Sequence, residues 1–511
     1  MNWKKGVTAL FSMLVVLMVL VACSNDKPKD ESASPSTTSD TSKGESAGKE
    51  KEKTKLSIMT KLHTAEVPDE KLLRLVEEAA NVEIKMEWVP DNNYSDKLNT
   101  AFATGTFAQA VTMGADQVDQ FKGAIRDGQF WEIGPYLSEF SNLGKLKDEV
   151  VNNTMVDGKV YSLYQGRPLS RQGMIYRKDW ADNLGLEAPK TVEEFYEMAR
   201  AFTEDDPDGN GKHDTIGLTD RSDLIYGAFK TIASWYGTPN NWGEQGGELQ
   251  PEFMFPEYMN AMNFMKDLRD DKFMNQDFPV TSKEDQQALL KNGTAGIYIG
   301  AMVDILGLYN DAVELNPDLV FDVHNYVAGP TGEFTVWSNP GYNNEILFPK
   351  SAIKTEEELK DILAFYDLMM TPELSNLVQW GVEGEHYSVV DGYAVIDSDQ
   401  DKIQREVFAY NMLGIGEAET NGRYESRFDY EPRQKAEALI LENDSHLIQD
   451  PTLTLDSETY IQDGDRLQAI INDATYNYIL GGIDEAGFNK EIEKWKSEGG
   501  SKIIEEFNAS R

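Results

Sequence analysis

The run Asp205-Asp-Pro-Asp-Gly-Asn-Gly-Lys-His-Asp214 concentrates oxygen donors that could hold a hard cation. Counted from Asp206, side-chain oxygens fall at the first, third, fifth and ninth positions: Asp206, Asp208, Asn210 and Asp214. Gly211 stands sixth, where such a loop must turn sharply, and Lys212 seventh, where the ligand would be a backbone carbonyl. Several oxygens wrapped around one point suit Ca²⁺ better than Mg²⁺, which keeps more of its water. The twelfth position, where an EF-hand has a bidentate glutamate, is Gly217, and Thr215 to Thr219 reads as extended chain. The expectation is therefore an EF-hand-like loop over 205–215 holding a structural calcium, with Glu204, Asp205 and Thr215 as further candidate ligands.

A second cluster, Glu383, Glu385 and His386, could do acid–base work. Two carboxylates two residues apart are thin support for hydrolysis, because they face the same way only if the segment is extended. There is no nucleophile elbow with a Ser-His-Asp order, no His-Glu-x-x-His and no phosphate loop. His63, His213, His324 and His446 are scattered without zinc-ligand spacing.

The elements that must position these groups begin near Lys55. Lys55–Thr60 reads as a strand, Asp69–Ala80 as a helix, Val82–Val89 as an alternating strand and Tyr94–Thr104 as a helix. This order argues for an α/β domain with a largely parallel sheet. Thr191-Val-Glu-Glu194 caps a helix that runs to Phe202. Gly296–Gly300 reads as a buried strand, and 355–370 and 474–479 as helices.

Ahead of this folded part the chain changes character. Lys4 and Lys5 precede an apolar run from Val7 to Ala22, too short to span a bilayer and suited to a signal-peptide core. It ends Leu20-Val21-Ala22-Cys23, which resembles a bacterial lipobox and implies lipid on the Cys23 sulfur and cleavage before it. Cys23 is the sole cysteine, so no internal disulfide competes for it. The expected parts are a signal peptide over 1–22 and a disordered tether over 23–53, which is too polar to offset its chain entropy. The net charge of -40 falls mostly on the folded part and argues against nucleic acid as a partner.

Met174-Ile-Tyr-Arg-Lys-Asp-Trp180, Leu184-Gly-Leu186, Pro189-Lys-Thr191 and Glu193-Glu-Phe-Tyr196 run into the acidic loop and Gly217-Leu218. This block resembles family 1 extracellular solute-binding proteins of the Gram-positive lipoprotein branch, which includes alginate-oligosaccharide binders with a calcium loop at this place. The likeness extends over Gly128–Tyr136, Gly296–Gly300, Gly381–Tyr387 and Ile479–Phe507. Thr104-Gly-Thr-Phe-Ala-Gln109 and Gly300-Ala-Met302 depart from the family pattern.

The resemblance implies a two-lobed α/β fold of the type II periplasmic-binding-protein kind, with several chain crossings forming the hinge. Lobe one is expected over 54–170 and 336–385, and lobe two over 171–335 and 386–511, with crossings near Gln165–Met174, Val336–Asn343 and Gly384. It further implies a monomer on the outer face of the cell membrane that delivers a carbohydrate, an oligosaccharide above all, to ABC permease subunits.

Sugars offer C–H faces to aromatic rings and hydroxyls to carboxylates and amides. The expected platforms are Trp235, Tyr236, Trp242, Trp337, Trp380 and Tyr387, with Glu385 as a polar partner. Arg167 and Arg177 flank the first crossing and could pair with a uronate. The alternatives are a secreted carbohydrate-active enzyme, a lyase or hydrolase using Glu383, Glu385 or His386, and a binder of another solute such as a peptide.

Overall fold

The computed structural model describes residues 53–511; the signal-peptide, tether and Cys23 expectations fall on residues outside the described ones, apart from Lys53. Two sheets organise the chain. The first has the strand order Val82–Pro90, Thr54–Leu62, Ala110–Met113, Tyr342–Leu347, Ser162–Gly166. Its first three strands are parallel, and Tyr342–Leu347 runs antiparallel to both of its neighbours. The second has the order Phe321–His324, Gln172–Arg177, Ala295–Ala301, Ile216–Thr219.

Both sheets are buried on two faces, and side-chain alternation fills a separate core on each. In the first sheet Ile58, Ala110 and Ile346 face one way, against helices Lys71–Ala80 and Glu356–Met369. Met59, Val111 and Leu347 face the other way, against Asp91–Thr104 and Ala115–Arg126. In the second sheet Met174, Tyr176 and Ile297 face the helices Val192–Glu204, Ala228–Trp235 and Glu458–Ile479. Ile175, Tyr298 and Phe321 face Ile305–Val313 and Glu431–Asn443. Each large side chain so buried contributes roughly 1.5–3 kcal/mol.

The expected early elements are present: Thr54–Leu62, Lys71–Ala80, Val82–Pro90 and Asp91–Thr104 follow one another in strand–helix order. Thr191 caps its helix by accepting the Glu194 N–H at 3.2 Å, while the Glu194 carboxylate reaches one residue past the cap to the Lys190 N–H. The short helix expected at 474–479 is the end of the longer Glu458–Ile479.

The chain leaves the first sheet after Gly166 and enters the second at Gln172, and it returns between Trp337 and Tyr342. The return expected near Gly384 lies elsewhere. Val407, Tyr410, Leu413 and Ile415 pack in the same core as Leu56, whereas Ala436 and Ile440 pack with Ile175. The reason is a hairpin, Tyr387–Val390 with Tyr393–Ile396, turned by Asp391 and Gly392 at positive φ. Ala394 then exchanges backbone hydrogen bonds with Glu425 and Arg427, which keeps this stretch beside the first sheet up to about Arg427. Residues 386 to about 427 therefore depart from their expected place in lobe two.

Glu345, in the inner strand Tyr342–Leu347 of the first sheet, is 2 % exposed. Burial, reinforced by Asp119, pushes its carboxyl up to about 7, against donors from Ser162 and Tyr342 and the charge of Lys122. A carboxyl raised on folding stabilises the protein below its unfolded value of 4.5, and that contribution is lost as pH rises through about 7. Glu345→Gln should leave stability near pH 4.5 unchanged and raise it by about 3 kcal/mol at pH 8. Urea denaturation at the two pH values tests this; an equal shift at both would refute it.

Candidate functional site

In open α/β sheets ligands sit at the carboxyl ends of the strands. In the first sheet those ends carry Lys61, His63, Asp91, Gly114 and Gln117. Lys61 Nζ donates to Asn344 Oδ1 at 2.9 Å, Asn344 Nδ2 donates to Gln165 Oε1 at 2.9 Å, and Gln165 Nε2 donates to the Met412 carbonyl at 2.7 Å. Burial lowers the Lys61 ammonium below its ordinary value. This polar chain spans the sheet end next to the first crossing.

Across from it, strand Ile216–Thr219 ends in the loop 220–227. Asp220 is fully buried and accepts the Ala228 N–H at 2.8 Å, so it holds the start of helix Ala228–Trp235; burial pushes its carboxyl up to about 6. Arg221 fixes the loop from inside, donating to Gln286, Asp223 and the Tyr226 carbonyl. The loop thereby presents Tyr226, 46 % exposed, edge-on to Trp337 at 5.7 Å.

Between these surfaces lies the crossing itself, with Arg167 and Arg171. Burial lowers the Arg167 guanidinium, and the positive charge of Arg171 lowers it further. Arg171 has a buried Nε with no hydrogen-bond partner. Among the described residues, Arg167, Arg171 and Arg423 are the arginines with no carboxylate at salt-bridge distance; every other arginine has one. A cavity of about 350 Å³ adjoins the crossing, lined by Arg167, Arg423 and Tyr393 beside the first sheet and by Gln434 and Leu441 beside the second, with Lys147 and the carboxylates of Glu417, Glu419, Glu425, Glu437 and Asp444 also in its wall. Arg423 sits in the field of Glu425 and Glu417, so the uncompensated positive charge lies at the Arg167–Arg171 end.

The other expected ligand residues are dispersed. Trp337, beside the return crossing, is buried in the core of lobe two, its Nε1 donating to Thr231 Oγ1 at 3.1 Å. Trp235 is fully buried against Phe195, and Tyr236 packs on Phe264 away from the crossing. Trp242 packs edge-on to Phe507, because its hairpin docks on the last helix. Trp380 donates to the Tyr424 carbonyl and Tyr387 lies beside the Tyr424 ring, both on the flank of the first sheet. Glu385 pairs with Lys71 and Lys402. Arg177 is buried, forked onto Asp179 and stacked on Trp180, which leaves it no free edge. His386 is buried too, its Nδ1 accepting the Val382 N–H and its Nε2 meeting Glu406 at 3.2 Å. Sequence reasoning missed Tyr226, Arg171 and Arg423. Arg171 had a signal, since it lies in the same crossing as Arg167.

The acidic loop connects helix Val192–Glu204 to strand Ile216–Thr219, so it is followed by a strand where an EF-hand has a helix. Asp206 Oδ2 accepts the Gly211 N–H at 2.9 Å, and its buried Oδ1 has no partner. Asn210 Nδ2 lies between Asp208 and Asp214, at 2.7 and 3.2 Å. A Cβ at Gly217 would come within 2.5 Å of the Ala199 carbonyl, so packing forbids a twelfth-position glutamate.

Two strand-end surfaces joined by chain crossings around a charged cleft define a two-lobed solute-binding fold. The family model for bacterial extracellular solute-binding proteins matches residues 65–373, and the chain belongs to that family. It is 43% identical over 458 residues to the polygalacturonan/rhamnogalacturonan-binding protein YtcQ of Bacillus subtilis, covering 89% of this chain and 91% of the relative. It is 34% identical over 464 residues to lipoprotein LipO of the same organism, with 89% and 91% covered. An HMO-binding, ABC-transporter-associated solute-binding protein from Bifidobacterium longum infantis has the same fold, with a TM-score of 0.68 at 16% identity over 89% of this chain and 98% of that one. The protein is thus a solute-binding component of an ABC transporter. No described helix is long and apolar enough to cross a membrane.

Ion pairs bridge the lobes beside the cleft. Asp456, ahead of helix Glu458–Ile479, meets Arg126 and, at 3.4 Å, Lys122 of the first lobe. Lys147 reaches Asp444 at 3.5 Å. Partly exposed pairs of this kind contribute roughly 1 kcal/mol. Asp456→Asn should shift the ligand-free protein about fivefold toward the open form, read as a larger radius of gyration by small-angle scattering. An unchanged radius would show that Asp456 does not hold the lobes.

Proposed function

We propose that this protein captures an acidic oligosaccharide, one built from uronic acid residues, and hands it to a membrane permease. The reading rests above all on Arg167 and Arg171, two neighbouring guanidiniums without a carboxylate in a chain of net charge -40. Both guanidiniums are half-buried, the Arg171 Nε fully so, and leaving such donors unmatched is costly unless a ligand supplies the anion. A planar carboxylate fits a guanidinium fork, and Tyr226 and Tyr393 offer ring faces for the sugar. The pectic ligands in the name of the Bacillus relative are of this chemical class.

The protein acts by binding alone, as its relatives do. Of Glu383, Glu385 and His386, the residues an enzyme would use, the last two are engaged in ion pairs and backbone bonds within lobe one, and Glu383 stands exposed beside them. Lipid on Cys23 keeps the receptor, a monomer, at the outer face of the membrane. Calcium is held by Asp206, Asp208, Asn210 and Asp214 with the Lys212 carbonyl. In support, Asp206 keeps one buried oxygen unpartnered, and the Asn210 amide stands between the Asp208 and Asp214 carboxylates. The ion cross-links helix and strand, and it has no path to signalling since no helix follows it.

Titration calorimetry with oligogalacturonates should give binding without product formation. Arg167→Gln and Arg171→Gln should each weaken it roughly ten- to a hundredfold, while binding of the methyl-esterified oligosaccharide stays unaffected. Equal wild-type affinity for both forms would sink the uronate reading; cleavage would sink the binding reading. For the metal, chelator should lower the melting temperature and Ca²⁺ restore it. The double variant Asp206→Ala, Asp208→Ala should melt low and ignore Ca²⁺. A chelator-insensitive wild type would remove the calcium assignment.

A further inference from the structure

Lobe two has a second cavity, of about 190 Å³, between the loop 221–227, the hairpin 242–251 and helix Glu458–Ile479. That is room for about six waters at ~30 Å³ each, and it matches one sugar ring. Its rim is exposed: Ile225 is 46 % and Tyr460 51 % accessible. Tyr460, Gly464, Gln468 and Asn472 follow one another at four-residue spacing along one helix face and line the cavity. Gly464 keeps the row open, since a Cβ there would come within 3.1 Å of the Tyr460 ring. The floor is the indoles of Trp242 and Trp495.

The charge in this cavity differs from that at the crossing. Lys230, buried in its wall, donates to Asn241 and lies 3.3 Å from Glu252, whose carboxylate also accepts the Asn241 N–H. The lysine is thus neutralised, and the groups left at the rim are amides and a phenol. Aromatic floor, amide rim and no net positive charge fit an uncharged pyranose and disfavour a carboxylate. The cavity opens beside the cleft. Ile225 adjoins Tyr226, whose ring meets Trp337, and Lys230 Nζ lies 5.7 Å from that same indole. Asp456, four residues before Tyr460, pairs with Arg126 and Lys122 of lobe one, so this end of the helix faces the opposite lobe.

We propose that this cavity is a second subsite, which takes a neutral sugar unit carried as a branch or chain end by the oligosaccharide whose acidic part lies at Arg167 and Arg171. It rests on the acidic-oligosaccharide reading above. The mature lipoprotein, calcium-loaded, would be titrated with a linear galacturonate trisaccharide and with the same trisaccharide bearing one neutral hexose. The wild type should bind the mixed ligand roughly tenfold more tightly. Tyr460→Ala and Gln468→Ala should lose that advantage and keep the affinity for the plain trisaccharide, whereas Tyr460→Phe, which retains the ring, should keep both. Equal wild-type affinity for the two ligands, or a Tyr460→Ala loss that falls equally on both, would overturn the subsite and leave the cleft reading standing. Failure of the wild type to bind either ligand would overturn both.

Discussion

The crossing from Gly166 to Gln172 is the constraint from which the rest follows. It joins the edge strand of one sheet to an inner strand of the other without a helix between them. The two sheets must then confront each other at their strand ends, where loops and helix starts expose polar groups. It also places Arg167 and Arg171 four residues apart in a segment too short to bury either against its own lobe. Elsewhere every described arginine but Arg423 has a carboxylate at salt-bridge distance; at Arg167 and Arg171 the geometry of the connection withholds it. The unmatched charge is thus a product of topology, and it is what the proposed uronate reading rests on.

The remaining polar architecture keeps that cleft in shape. Asp220 and Arg221 spend their hydrogen bonds on the loop that carries Tyr226. The Lys61–Asn344–Gln165 chain ties three strands of the first sheet at the same level. Both are buried networks whose members are satisfied by one another, the condition under which polar groups stiffen a site instead of weakening it. The interlobe pairs at Asp456 and Asp444 are more exposed, so they bias the relation of the lobes without locking it.

Much of the fold was legible. Ile58 and Met59 are adjacent apolar residues that fill the cores on two faces of a buried strand, Val82 and Ile84 alternate with exposed Glu83 and Lys85 as a half-buried edge strand does, and Thr191 with Glu194 marks a helix start by local chemistry alone. The hairpin turned at Asp391–Gly392 came only from the structure. Its pairing with Glu425 and Arg427 holds some forty residues beside the first sheet, contrary to the expected crossing near Gly384. Long-range pairing of that kind leaves no periodic trace.

The site divides the same way. By itself the sequence determined the turns of the acidic loop, since its polar groups are close along the chain: Asn210 lies between Asp208 and Asp214, and Asp206 accepts the Gly211 N–H. It also determined the family, through the block from Tyr176 to Leu218. Only the tertiary structure decided which aromatics and cations are free to meet a solute. Arg177 looked as suitable as Arg167, and Trp235 and Trp337 as suitable as Tyr226, but packing consumed Arg177 in the Asp179 fork and buried both indoles in the core of lobe two. Availability is a matter of what a side chain fails to touch, and that is settled by residues remote in sequence.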